Sequence, residues 1–138
     1  MTLHAFTDGA SRGNPGESGI GLLVRTETGD TILAEHGYIG TATNNIAEYT
    51  ALVALLKRAR RWTCSRLVVH SDSELMVRQV NGQYRVRDEG LRKYYEQVMK
   101  LLAGTPFSVE VLHVSREENR DADRLANRGI DARKRIKV

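Results

Sequence analysis

Residues 2–8, TLHAFTD, lead through GASRGNPGESG (9–19) into GIGLLVRT (19–26), and this stretch decides how the chain is read. The first segment has the length and composition of a strand. The middle segment is rich in Gly and Pro, which punctuate regular structure, and reads as loop. Residues 19–26 and 30–39 read as two further strands joined by a turn at Thr28-Gly29-Asp30, which starts an antiparallel sheet.

Working outward, Asn45 opens a helix that runs to about Arg60. Its apolar residues Ile46, Tyr49, Leu52, Val53 and Leu56 recur at helical spacing and form one face. Arg66 to His70 is a short apolar strand. A second helix spans Ser73 to about Asn81, where Asn81-Gly82 stops it. A third spans Glu89 to Leu102, with Leu91, Tyr94, Tyr95, Val98, Leu101 and Leu102 as its buried set. Ser108 to Val114 is a last strand. Asn119 to Asn127 is a last helix, with Gly129 as its C-terminal stop. Three consecutive strands followed by alternating helices and strands describe an α/β fold, a mixed sheet covered by helices.

With 138 residues there is room for one domain. Residues that are 41% hydrophobic and 28% charged belong to a globular chain with a real core. No apolar run approaches the roughly 20 residues that span a bilayer, so no membrane role is expected. Cys64 is the single cysteine and has no partner for an internal disulfide. With no leader pattern ahead of the first strand, a cytoplasmic location is expected. The net charge of +4 favours a polyanionic partner weakly. Arginines gather at 58–61, 78–92 and 124–135, and each group on its own reads as a solvated helix face.

Four carboxylates stand out, each with an ordinary local explanation. Asp8 precedes Gly9, a common turn pair. Glu48 lies three residues after Asn45, close to a capping box. Asp72 stands between a strand and a helix, where an aspartate caps. Asp123 lies in the first turns of the last helix, near the positive end of its dipole. Their joint placement points elsewhere. Asp8 and Asp72 follow strands, and Glu48 and Asp123 begin helices, so all four gather at one sheet edge, where α/β proteins bind ligands. Bare, they would repel one another. Magnesium prefers such oxygen ligands, and a pair of ions about 3.5–4 Å apart makes a phosphodiester-cleaving site. Cys64 and the four histidines (His4, His36, His70, His113) show no zinc spacing. The glycines of GESGIGLL lead into a strand, which excludes a dinucleotide loop.

The segments FTDGASRGNPG (6–16), TNNIAEYTAL (43–52), VVHSDSELMVRQ (68–79) and REENRDADRLAN (116–127) follow one another as they do in type 1 ribonucleases H. The chain resembles that family to about Gly129. The resemblance implies a ribonuclease H-like fold, a five-stranded mixed sheet with helices packed on both faces. It also implies a catalytic domain over 1–129 and a short basic tail over 130–138. The implied activity is endonucleolytic hydrolysis of the RNA strand of RNA–DNA hybrids, leaving 5′-phosphate and 3′-hydroxyl ends. The resemblance assigns Asp8, Glu48, Asp72 and Asp123 to two magnesium ions, with manganese able to substitute. Helical spacing alone does not choose between Asp121 and Asp123; the motif chooses Asp123.

By the same resemblance Asn14, Asn44 and Gln79 contact the minor groove, where 2′-hydroxyls distinguish RNA from DNA. Thr43 grips a DNA-strand phosphate, and Ser11 is a weaker candidate. Many members use a loop histidine for product release. Here His113 alternates with Val109 and Val111 and is expected to pack, whereas Arg116 lies in the loop and suits a phosphate; Arg116 is therefore taken as the catalytic assistant. The lysine-rich protrusion of some bacterial members is replaced by NGQYRVRDEG (81–90), so binding rests on other cations. A monomer with no obligatory protein partner is expected. The alternatives are a catalytically weak hybrid-binding module, which would have lost an acid, and a resolvase or proofreading exonuclease, against which TNNIAEYTAL argues.

Overall fold

The computed structural model describes all 138 residues. The elements run β1 (Thr2–Gly13), β2 (Gly16–Thr26), β3 (Thr31–Ala42), α1 (Asn44–Ala59), β4 (Arg66–Ser71), α2 (Glu74–Val80), α3 (Glu89–Ala103), β5 (Ser108–His113) and α4 (Arg120–Ala132). One five-stranded sheet has the order β3-β2-β1-β4-β5. The pairs β1/β2 and β2/β3 are antiparallel; β1/β4 and β4/β5 are parallel. No helix is long and apolar enough to cross a membrane.

The segment 9–19, expected as loop, is a hairpin: β1 continues to Gly13 and pairs with β2 up to Gly13↔Gly16. Only the tip turns, and Gly13 supplies the φ of 116° that the turn needs. Asp8 therefore sits inside a strand. It lies just past the parallel pairing of β1 with β4, which ends at Thr7↔Ser71.

Neighbouring residues of a strand face opposite ways, and glycines let helices approach both faces here. A Cβ on Gly9 would stand 2.2 Å from the carbonyl carbon of Ala47, so α1 lies against β1 on one face. Gly21, the partner of Asp8, would meet the Ala122 oxygen at 2.3 Å, so α4 lies on the other. Gly129 abuts Gly37, with 2.4 Å from its would-be Cβ to the Gly37 oxygen. This corrects its expected role as a helix stop. It lies inside α4, which ends at Ala132 with Arg133 left-handed (φ 52°) as the cap.

The main core lies between the sheet and α1. Because α1 is roofed by α3, it is buried well beyond one face; Ala51, Ala54, Leu55 and Ala59 join the expected residues. As the outer layer, α3 buries only Leu91 and Val98 fully. The residues after α4 dock. Tyr38 N donates to the Lys134 oxygen at 3.0 Å, Ile136 N donates to the Tyr38 oxygen at 3.3 Å, and Ile136 fills the space left open by Gly37.

Candidate active site

Three elements deliver three acids to one place. Asp8 comes from β1, Glu48 from the first turns of α1, and Asp72 from the residue after β4. One carboxylate oxygen from each lies within 4.8 Å of the others. Asp8 and Glu48 are buried, and Asp72 is half-buried. Neither Glu48 nor Asp72 has the capping role that its local sequence suggested. Thr43 caps α1, its hydroxyl accepting from Ile46 N at 3.2 Å. Ser73 caps α2, accepting from Met76 N at 3.3 Å. Glu48 instead accepts from Gly9 N at 2.8 Å, a bond that the missing Cβ of Gly9 makes possible.

Asp123 is exposed and stands outside the three-acid group, on the rim of the same cleft. Its backbone is held by the close seat of Ala122 on Gly21. Its carboxylate accepts from Asn127 Nδ2 at 3.3 Å.

The electrostatics are those of unneutralised anions. Burial, then the charges of Glu48 and Asp72 and the nearby Asp123 carboxyl, push Asp8 well above the usual carboxylate range. Burial and Asp72 push Glu48 up as well, opposed by the Gly9 amide and by Arg116. Without a cation, burial and mutual repulsion bias both carboxyls toward their protonated forms. The donors are all carboxylate oxygens, which suits hard divalent cations, and the set fits them. Of the 14 residues lining the cleft only two are hydrophobic, so it suits a hydrated anionic backbone better than an apolar small molecule.

The other expected residues divide. Asn14 lies at the hairpin tip and its Oδ1 accepts from Asn44 N at 3.1 Å, joining the tip to the start of α1; Asn44 lines the cleft. Thr43 holds the helix start. Ser11 lines the cleft, its hydroxyl donating to the Ala42 oxygen at 2.8 Å. Gln79 does not line the cleft. It is 4% exposed and accepts from Tyr49 OH at 2.7 Å, because this face of α2 packs on α1. Arg116 is exposed, lines the cleft and takes part in none of the ion pairs. His113, expected to pack, is exposed at the end of β5 and does not line the cleft.

Two asparagines went unread. Asn119 is 1% exposed; its Nδ2 donates to the Thr7 oxygen at 2.9 Å and to Asp72 Oδ2 at 3.3 Å. It supplies Thr7 with a donor where β4 has ended, and it orients Asp72 in doing so. Asn127 touches Asp123. The signal available was their spacing, four residues before and four after Asp123, which stacks them on one helix face.

A family model described as reverse transcriptase-like matches residues 6–129. Ribonuclease HI of Halobacterium salinarum is 37% identical over 129 residues, covering 94% of this chain and 64% of that protein. A bifunctional protein of Mycobacterium tuberculosis is 43% identical over 133 residues, covering 96% of this chain and 36% of its own length. The chain thus spans less than two thirds of these relatives. The crystal structure of the Halobacterium ribonuclease H1 superposes with a TM-score of 0.89 at 36% identity, covering 96% of this chain and 99% of that one. A ribonuclease H1 termed LC11, solved in complex with an RNA/DNA hybrid, gives 0.89 at 35% identity, covering 94% and 97%.

Proposed function

The chain belongs to the type 1 ribonuclease H family, and from that premise we propose that it is an endonuclease cutting the RNA strand of RNA–DNA hybrids with divalent metal. The observation that carries this reading is the convergence of Asp8, Glu48 and Asp72 within 4.8 Å, with Asp123 on the rim of one polar cleft. Two magnesium ions, or manganese in their place, would when bound supply an activated water and neutralise the oxygen that leaves.

The chain's own residues hold and orient. Asp8, Glu48, Asp72 and Asp123 provide the carboxylates. Gly9 N fixes Glu48, and Asn119 fixes Asp72. Arg116, free of ion pairs beside the cleft, is placed to meet a phosphate oxygen. Asn14, Thr43 and Asn44 form the ledge for the hybrid, where side chains reach 2′-hydroxyls across the minor groove. Water adds to phosphorus and the P–O3′ bond breaks, so the products carry a 5′-phosphate and a 3′-hydroxyl. The catalytic unit is residues 1–129; of the segment 130–138, the first residues complete α4, and Lys134 to Ile136 lie along β3. The reading includes a monomer acting in the cytoplasm, in keeping with a buried free Cys64.

The test is incubation of the purified protein with end-labelled hybrid, double-stranded DNA and double-stranded RNA, with magnesium, manganese or chelator. Internal cuts in the RNA of the hybrid, lost with chelator, are the expected result. Cleavage that survives chelation, or no cleavage with either metal, refutes the proposal.

A further inference from the structure

Asp8, Glu48 and Asp72 are each held by burial or by a neighbouring amide, while Asp123 is exposed on the rim. Its carboxylate accepts from Asn127 Nδ2 at 3.3 Å, one helical turn on, the same Nδ2 donating to the Asp123 backbone oxygen at 3.1 Å, and it lies within hydrogen-bonding reach of the Asp8 carboxyl. An Asn amide can present either end, so its orientation must itself be fixed for it to act as a donor. Arg12, from the β1–β2 hairpin, fixes it. One guanidinium nitrogen, NH2, donates to Asn127 Oδ1 at 3.4 Å and to the Asn127 backbone oxygen at 3.3 Å. A guanidinium has no acceptor, so the oxygen end of the amide must face Arg12 and Nδ2 must face Asp123. Arg12 is anchored in turn by Asp131, with NH1 to Oδ1 at 2.6 Å. Asp123, Asn127 and Asp131 follow at four-residue steps along one face of α4, and that face meets the hairpin. On its other side the hairpin tip is tied through Asn14 to Asn44 N at the start of α1. The tip thus spans the two helices that carry Glu48 and Asp123.

We propose that Arg12 and Asn127 are positioning residues for Asp123: Arg12 fixes the Asn127 amide, and the amide holds the Asp123 carboxylate at the edge of the three-acid group. This rests on the reading of Asp123 as the fourth metal-site acid. Held there, Asp123 has less freedom to lose when metal and substrate arrive. An exposed ion pair contributes little to stability, so the contacts act on function through geometry.

The test combines steady-state kinetics, thermal melting and calorimetric titration with Mn2+ on wild type, Asn127→Ala, Asn127→Asp, Arg12→Met and Arg12→Lys. Asn127→Ala is expected to lower kcat and Mn2+ affinity by about tenfold, the size typical of losing a partner that orients a metal ligand. KM for the hybrid and Tm should stay at the wild-type values. Asn127→Asp removes the donor and should lose at least as much. Arg12→Lys keeps the pairing with Asp131 but lacks the fork, so it should fall between wild type and Arg12→Met. Wild-type kcat and Mn2+ affinity in Asn127→Ala overturn the proposal. A raised KM at unchanged kcat would make Asn127 a substrate contact, and a lowered Tm alone would make it structural; either also overturns it. A wild type that binds no Mn2+ defeats the functional reading itself, and this inference with it.

Discussion

Gly9 and Glu48 are joined through a space that only glycine leaves open: Gly9 N donates to Glu48 Oε1 at 2.8 Å, while a Cβ on Gly9 would stand 2.2 Å from the Ala47 carbonyl carbon. The same residue that lets α1 close on β1 thereby fixes a carboxylate of the three-acid group. Gly9→Ala must push backbone against backbone. The expected cost is about 1–3 kcal/mol, the usual size for overpacking, together with loss of most cleavage as Glu48 is displaced. A denaturant melt and a turnover assay check this; a fully active, fully stable variant contradicts it.

Asp8→Asn should abolish cleavage while keeping the fold. Its effect on stability has a definite sign. Asp8 is raised above its ordinary value near 3.8, and Glu48 above 4.5. The folded state therefore keeps protons that the unfolded state releases, and without metal the stability falls as pH rises above about 4 to 4.5 toward the raised folded values. Asn cannot ionise and also relieves Glu48. The variant should melt higher than wild type at pH 8 without metal and show no gain below pH 4. Melting curves at the two pH values decide it, and equal Tm at pH 8 would mean that the repulsion is already relieved.

Arg116→Ala should lower kcat at least several-fold without shifting Tm, because the side chain faces the cleft and has no ion pair to lose. His113 is exposed and off the cleft, so His113→Ala should change neither turnover nor Tm appreciably. The reverse pattern in kinetics and melting would exchange their roles.

Tyr49→Phe removes the hydroxyl that bonds Gln79 Oε1 at 2.7 Å and leaves a buried acceptor with one bond fewer. The expected loss is about 1–3 kcal/mol of stability with KM for the hybrid unchanged. A raised KM at normal stability would place Gln79 in substrate binding after all.

The sequence by itself determined the order of strands and helices, the class of sheet, and a set of candidate acids, from local properties: alternation of period 2, helical spacing near 3.6, and acids standing where strands end or helices begin. The resemblance of its motifs to a family then chose Asp123 over Asp121 and pointed to Arg116. What only the tertiary structure decided is which neighbour each face meets. Gln79 and Glu74 lie on one short helix, and nothing local says that Gln79 turns inward to Tyr49 while Glu74 lines the cleft. Gly129 looks like a helix stop until α4 is laid on Gly37, and only the fit of Ile136 into the gap at Gly37 shows that the basic tail docks. Asn119 is an ordinary helix-start residue until Asp72 arrives beside it from the end of β4, and Asn127, although a helical neighbour of Asp123, has its amide oriented only when Arg12 arrives from the β1–β2 hairpin. Periodicity tells a chain which side of an element is turned inward; the partner on that side comes from segments far apart in sequence, and close packing admits few arrangements once they meet.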